Sequence, residues 1–504
     1  MSAEKAYNNL VTRLKNVSLL GSCAGVLGWD ERTYMPKGGS KFRADQLGLL
    51  SVLAHEKFTD PKIGELLSEL EQSDYMKDPT SVEAVNIRET RHSYDKETKL
   101  PSDLVEALSK TTTLAQGEWV SARANNDFKS FLPWLEKVVD LSKQKAEAYG
   151  YEDEPYDCLL DDYEPGAKTK EIVEVFANLR TELVTLLENV KNAPKKPNVS
   201  IVERKYDVEL QRVFGESVAQ AMGFSFDEGR LDITTHPFCS GMGPGDTRIT
   251  TRYNPSRVND ALFGIMHEAG HALYEMGIDK EKHFGTPMGN STSLGIHESQ
   301  SRMWENQVGR SKSFWQYFFP QAQRMFKDTL GDVTLDEFYG AINNVAPSYI
   351  RVEADEATYN LHILLRFELE RGLMTGEIKP ADIQEEWNER FKKYFGLEVD
   401  SAANGCLQDV HWSAGLFGYF PTYTLGNLYS AQFFNKASVD LGDLDAQFAS
   451  GDYKQIREWL RSNIHEHGSR YRATDLVKVV TGDALDHKPL IAYMNKKYGE
   501  IYGF

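Results

Sequence analysis

Apolar residues recur at three- and four-residue spacing through most of the chain, with charged residues filling the positions between. The pattern is clearest over Leu104 to Asn125, Leu132 to Tyr149 and Lys168 to Val190, and each stretch predicts an amphipathic helix. Start signals support it. Ser102 and Asp103 follow Pro101, and in Thr59-Asp60-Pro61 the aspartate is placed to cap a helix that opens on proline. Between Arg230 and Tyr253 the period changes. "RLDITTHPF" and "DTRITTRY" are rich in β-branched residues, alternate in polarity and flank Gly241, Gly243, Pro244 and Gly245. They predict a small antiparallel β unit. The expected fold class is all-α, mainly helical, with this β unit near the active site. Asn192 to Asn198, with its prolines and lysines, reads as an exposed connection. It would split a single catalytic domain, 1–504, into an N-terminal helical lobe (1–195) and a metal-site lobe (196–504).

Composition narrows the function. Of 504 residues, 41% are hydrophobic and 11% aromatic, enough for a large core. The 57 basic and 75 acidic residues leave a net charge of -18. Such a chain repels polynucleotides and anionic lipid, so no nucleic-acid or membrane partner is expected. No stretch approaches the ~20 apolar residues of a membrane helix. Val17 to Gly28 imitates a signal peptide, but it starts late and runs into Trp29-Asp30-Glu31 without a cleavage site; it reads as a buried helix end. The cysteines, Cys23, Cys158, Cys239 and Cys406, are widely spaced and form no CxxC pair. They fit reduced thiols in a cytoplasmic protein.

The chemistry concentrates in "FGIMHEAGHALYEMG", Phe263 to Gly277. His267 and His271 stand one helical turn apart on one face, so two imidazoles can converge on one zinc ion. Glu268, beside them, can reach a water on the open side of the metal, the general-base position of HExxH peptidases. A third ligand is required. In "STSLGIHESQ" Ser291 to Ser293 can cap a second helix bearing His297, Glu298 and Glu305. Glu298 is the expected ligand, with His297 as its alternative. "SGMGPGD", Ser240 to Asp246, lacks the lysine and the strand–loop–helix setting of a phosphate loop and reads as a flexible turn.

Several further motifs, in order, resemble the carboxypeptidase Taq family of metallocarboxypeptidases. They are "WDERTYMP" (29–36), "HPF" (236–238), "DTRIT" (246–250), "HEAGH" (267–271), "HESQ" (297–300), "IRVEADEATY" (350–359) and "GCLQDVHW" (405–412). The resemblance implies a helical, saddle-like fold with a deep groove. It implies removal of single residues from peptide C-termini, one divalent metal (zinc or cobalt) and a homodimer. It matches Glu298 to the family's third metal ligand.

Roles for other residues follow from the same resemblance. A developing oxyanion needs a donor besides the metal. His411 and Tyr423 are the candidates, with Tyr419 competing. A terminal carboxylate is best read by a planar guanidinium, and Arg351 leads Arg248 for that role, unless either is held in an ion pair with Asp355, Glu356 or Asp246. His236 is grouped with the substrate-binding residues. Asp355 and Glu356 are candidates to orient the ligand histidines, and Asp409 to orient His411. Two other functions remain open: an endo-oligopeptidase or dipeptidyl carboxypeptidase on a related fold, and a helical scaffold that retains a metal.

Overall fold

In the computed structural model, which describes residues 2–504, the three clearest helical periods become helices Ser102–Ala124, Phe128–Tyr149 and Thr169–Asn192. Asp60 caps Pro61–Leu70 by accepting from the Lys62 N–H, as its position before proline predicts. Ser102–Ala124 follows Pro101 without a side-chain cap. The principal core draws on residues from Ala115 to Tyr502, on both sides of the 192–198 connection. A smaller cluster, including Leu10, Leu14, Ile63, Leu66, Leu67 and Ile87, binds the N-terminal helices to one another.

Val17 to Gly28 is not a buried helix end. It lies inside the 31-residue helix Ala3–Thr33, which pairs with Ser40–Phe58 as a hairpin. Leu19 and Val26 are exposed there, and no residue of Ser40–Phe58 is fully buried. The hairpin contributes an outer face rather than core, so its apolar residues reach solvent.

Strands β1 (Gly229–Ile233), β2 (Cys239–Gly243) and β3 (Asp246–Thr251) form one sheet in the order β1-β3-β2. β2 and β3 are antiparallel, but β1 and β3 are parallel. The β unit is thus mixed rather than wholly antiparallel. The Gly-rich stretch between the two predicted strands is itself partly a strand, and two reversals of direction restore the first heading. "WDERTYMP" ties the hairpin to this sheet. Arg230 and Arg248 lie over the Trp29 ring at 5.0 and 4.7 Å, and the Tyr34 hydroxyl donates to Asp232; outside that motif, Ser22 of the same helix donates to the Met242 carbonyl.

Three helices meet behind the sheet. Val258–Gly277, the metal helix, buries residues on nearly every face. Leu294–Arg302, the ligand helix, packs between it and Pro421–Leu441. A glycine permits each crossing. A Cβ on Gly270 would stand 2.7 Å from the Gln300 carbonyl and Ser301 Cα, and one on Gly426 would stand 2.6 Å from Glu298 Cγ. Alanine is intrinsically the better helix former by ~1 kcal/mol, so any loss in Gly426→Ala comes from that contact. The substitution is expected to displace Glu298 and weaken metal affinity by about tenfold with helical content unchanged. Metal content after dialysis against a chelator checks it; retention equal to the parent protein would mean the crossing yields without moving Glu298.

Candidate metal centre

The metal helix places His267 and His271 one turn apart, and the ligand helix brings Glu298 against them. Ser293 caps the latter by accepting from the Ile296 N–H. His267 Nε2 and His271 Nε2 lie 3.6 and 3.4 Å from Glu298 Oε2. All three donor atoms fall within 4.8 Å of one another. Ligand bonds of about 2.0–2.2 Å in a tetrahedral shell set donors about 3.4 Å apart, so this spacing fits one divalent ion.

Each donor is held from behind, which leaves one atom for the metal. His267 Nδ1 is 3.0 Å from Glu305 Oε2. His271 Nδ1 is 2.5 Å from His297 Nδ1, and His297 Nε2 is 2.7 Å from Glu275 Oε1, itself paired with Lys280. His297 therefore supports His271 from the far side of its ring instead of competing with Glu298 for the ion. Arg302 Nε donates to Glu298 Oε1 at 2.7 Å, and the Ser301 hydroxyl donates to Oε2 at 3.0 Å. Glu268 is 6% exposed and makes no hydrogen bond to any described residue. Burial pushes its carboxyl up to about 7, against the pull of His267.

Beside this centre lies a second cluster. Arg351 donates through Nε and Nη2 to Asp409 Oδ1 at 3.0 and 2.9 Å, and through Nη1 to the Tyr359 hydroxyl at 3.0 Å. Arg366 Nε donates to Asp409 Oδ2 at 2.6 Å. Burial would raise the Asp409 carboxyl, but Arg366 and Arg351 outweigh it and hold it low. Two arginines thus share one carboxylate. Arg351 also lies over the Tyr423 ring at 5.3 Å, and Arg302 lies over Tyr359 at 4.4 Å, which joins this cluster to the metal centre. His411 packs on Tyr419 and Phe420, with ring centroids 5.4 and 4.4 Å away, and Tyr419 packs on Tyr423 at 5.5 Å. Burial lowers the His411 imidazole to about 4, so it is neutral at neutral pH.

Other expected placements differ. Asp409 is 4.0 Å from His411 Nδ1, beyond a hydrogen bond, because the arginines claim it. Glu356 pairs with Lys497 at 2.7 Å, and Asp355 caps the helix Glu356–Thr375, so neither orients a ligand histidine. Arg248 is paired with Asp246 at 2.7 Å and lies over Trp29. His236 is exposed between β1 and β2 and makes no side-chain hydrogen bond or ion pair to a described residue. No contact brings either into the two clusters. Sequence reasoning missed the supporting roles of Glu275, His297, Glu305 and Arg302. Glu275 and Arg302 carry a readable signal, each four residues beyond a ligand on the same helix face. Glu305 does too, seven residues beyond Glu298 and two turns along the same face, and the π-helical turn Met303–Val308 leaves it 3.3 Å from Arg302.

A helical frame that converges two histidines of an HExxH helix and a glutamate from a second helix defines a metallopeptidase. The model of the carboxypeptidase Taq (M32) metallopeptidases matches residues 9–498. Thermostable carboxypeptidase 1 of Thermus thermophilus is 47% identical over the whole of both chains. Carboxypeptidase 1 of Bacillus subtilis is 38% identical over 99% of this chain and 98% of its own. The crystal structure of the M32 carboxypeptidase from Deinococcus radiodurans R1 superposes with a TM-score of 0.96 at 39% identity, covering 99% of this chain and 100% of that one. The chain belongs to the carboxypeptidase Taq (M32) family of metallopeptidases, and it is a metal-dependent peptide hydrolase. Among the described residues no helix is long and apolar enough to cross a membrane.

The metal-free centre competes with protons for its ion. Burial lowers the His267 imidazole, but Glu298 and Glu305 outweigh it and push it up to about 9. Metal binding must displace that proton. Apparent affinity is therefore expected to rise with pH up to about 9, with about one proton released per ion at pH 7.5. Titration calorimetry in two buffers of different ionisation enthalpy counts the proton, and zero release would contradict this charge state.

Proposed function

We propose that this metallocarboxypeptidase removes single amino acids from the free C-terminus of short peptides, with Glu268 as general base. The observation that carries the reading is the buried cluster in which Arg351 and Arg366 share Asp409, one positive charge in excess beside the metal centre. A terminal carboxylate is the substrate group that such an excess suits. Arg351 keeps N–H hydrogens beyond those committed to Asp409 and Tyr359, and it is the residue we assign to that carboxylate. Arg248 and His236 have no comparable setting.

His267, His271 and Glu298 would hold the ion, which we read as zinc or cobalt. When bound, it activates a water and polarises the scissile carbonyl. Glu268, buried and without a partner, takes the water's proton at its carboxylate and returns it to the leaving amine. His411, kept neutral by burial, donates N–H to the carbonyl oxygen as charge develops there. Tyr423, packed between Tyr419 and Arg351, is the second donor, with Tyr419 beside it.

One peptide digested in two forms, C-terminal acid and C-terminal amide, tests the specificity. Mass spectrometry should show a ladder of single-residue losses from the acid alone, abolished by chelator and restored by zinc or cobalt. Internal cleavage of both forms would instead support an oligopeptidase. Glu268→Ala should keep the metal yet lose at least about 100-fold in kcat. Full activity in the metallated variant would sink the general-base assignment.

We also read the protein as a single catalytic domain, as cytoplasmic, and as a homodimer that uses the N-terminal hairpin. Its four cysteines are free, which suits a reducing compartment. Phe42, Leu49 and Val52 are 69%, 61% and 54% exposed along one helix, a face suited to a second copy. Phe42→Asp with Leu49→Asp should halve the mass measured by light scattering, whereas an unchanged dimer would place the interface elsewhere.

A further inference from the structure

Two carboxylates lie wholly buried behind the site, outside the chemistry described above. Glu370 and Glu164 are each 0% exposed. Glu370 accepts from the Tyr156 hydroxyl at 2.6 Å, the Trp412 Nε1–H at 2.9 Å and the Gly418 N–H at 3.0 Å. Glu164 accepts from the Tyr429 hydroxyl at 2.9 Å, the Ser293 hydroxyl at 3.1 Å and the Gly295 N–H at 2.9 Å. Every donor is neutral, and among the described residues no arginine or lysine pairs with either carboxylate.

The partners show what is being held. Trp412 and Gly418 stand next to His411 and Tyr419, one pair at each end of the same loop. Ser293 and Gly295 form the first turn of the helix that carries Glu298. One short stretch, Tyr156 to Glu164, reaches both. Tyr156 grips Glu370, Tyr163 packs edge-on against Tyr419 at 5.1 Å and accepts the Leu294 N–H through its carbonyl at 3.0 Å, and Glu164 grips the ligand helix. Glycines allow the contacts. A Cβ on Gly418 would stand 2.6 Å from the Leu159 carbonyl, and one on Gly295 would stand 2.6 Å from Glu164 Oε2.

We infer that Tyr156–Glu164 is a strut that sets the distance between the metal-ligand helix and the carbonyl-facing loop, with Glu164 and Glu370 as positioning residues at its two ends. This rests on the reading of His411 and its tyrosines as substrate-facing. The two ends act on different steps. Glu164 works through Glu298 and so through metal affinity. Glu370 works through His411 and Tyr419 and so through kcat.

Hydrogen-bond geometry sharpens the test, because the isosteric amide behaves differently at the two ends. At Glu370 each oxygen faces an N–H that cannot turn, Trp412 on Oε1 and Gly418 on Oε2. Glutamine must therefore set its amide N–H₂ against one of them in either orientation. At Glu164 only Oε2 faces a fixed N–H. Glutamine can place its amide nitrogen at Oε1, where both neighbours are hydroxyls that can turn and accept.

The experiment measures metal dissociation constant, kcat, KM and thermal midpoint on the full-length protein with zinc as the probe. Glu370→Gln is expected to lower kcat about tenfold or more with the zinc dissociation constant within about twofold of the parent. Tyr156→Phe, which removes one donor and keeps the packing, should give a smaller fall of the same kind. Glu164→Ala should weaken zinc binding about tenfold, and Glu164→Gln should restore most of it. Parent-like kcat in Glu370→Gln, or parallel loss of zinc affinity and kcat at both ends, would overturn the strut and leave general packing. His411→Ala separates the two ideas. If it leaves kcat intact, the reading of the site fails. If it lowers kcat while Glu370→Gln does not, the strut alone fails.

Discussion

Glu298 sits where three helices cross closely enough that no side chain fits between them, and the rest of the site is built outward from that crossing. The ligand helix has Gly270 of the metal helix on one side and Gly426 on the other. Backbone contact on both faces removes the rotations by which a short helix could carry its carboxylate away from two fixed imidazoles. Interiors packed this tightly do not deform continuously. A shift of Glu298 therefore requires one of its neighbours to move as a body.

Electrostatics then settles which atom of each ligand is free. Three carboxylates, Glu268, Glu298 and Glu305, crowd two histidines, and so much buried negative charge would favour protonation over metal binding. Arg302 contacts both Glu298 and Glu305 and holds their carboxyls ionised. Glu268 is left without such a partner, and its environment holds it at the border between charged and neutral. The carboxylates of Glu298 and Glu305 thus differ from that of Glu268 by a direct guanidinium contact.

The sequence carried the helices and the core of the metal centre because both follow short periods. His267 and His271 are one turn apart, and the register needs no tertiary information. Glu298 came from its place on a second helix after Ser291 to Ser293, and Arg351 from resemblance, but the partners that hold them did not come at all. Asp409 lies 58 positions from Arg351, and only folding reveals that it also serves Arg366. Asp355 and Glu356 have suitable chemistry, but one caps a helix and the other neutralises Lys497. The antiparallel reading of the β unit failed because the Gly-rich stretch hid a strand that reverses direction once more. Val17 to Gly28 misled in the opposite sense: local apolarity suggested burial, yet a hairpin at the margin of the fold leaves it partly in solvent.

The charge balance has a kinetic consequence for peptide capture. Seen from bulk solvent the molecule is a polyanion of -18, so an acidic peptide meets repulsion once it comes within about 8 Å of the surface, the screening distance at physiological ionic strength. The excess positive charge of the Arg351–Arg366 pair is buried, so it acts only on a peptide already in contact with the protein and is screened less than the surface charge. Added salt erases the outer repulsion more than the inner attraction. Encounter with acidic peptides therefore speeds up as ionic strength rises, opposite to enzymes that steer their substrates from afar.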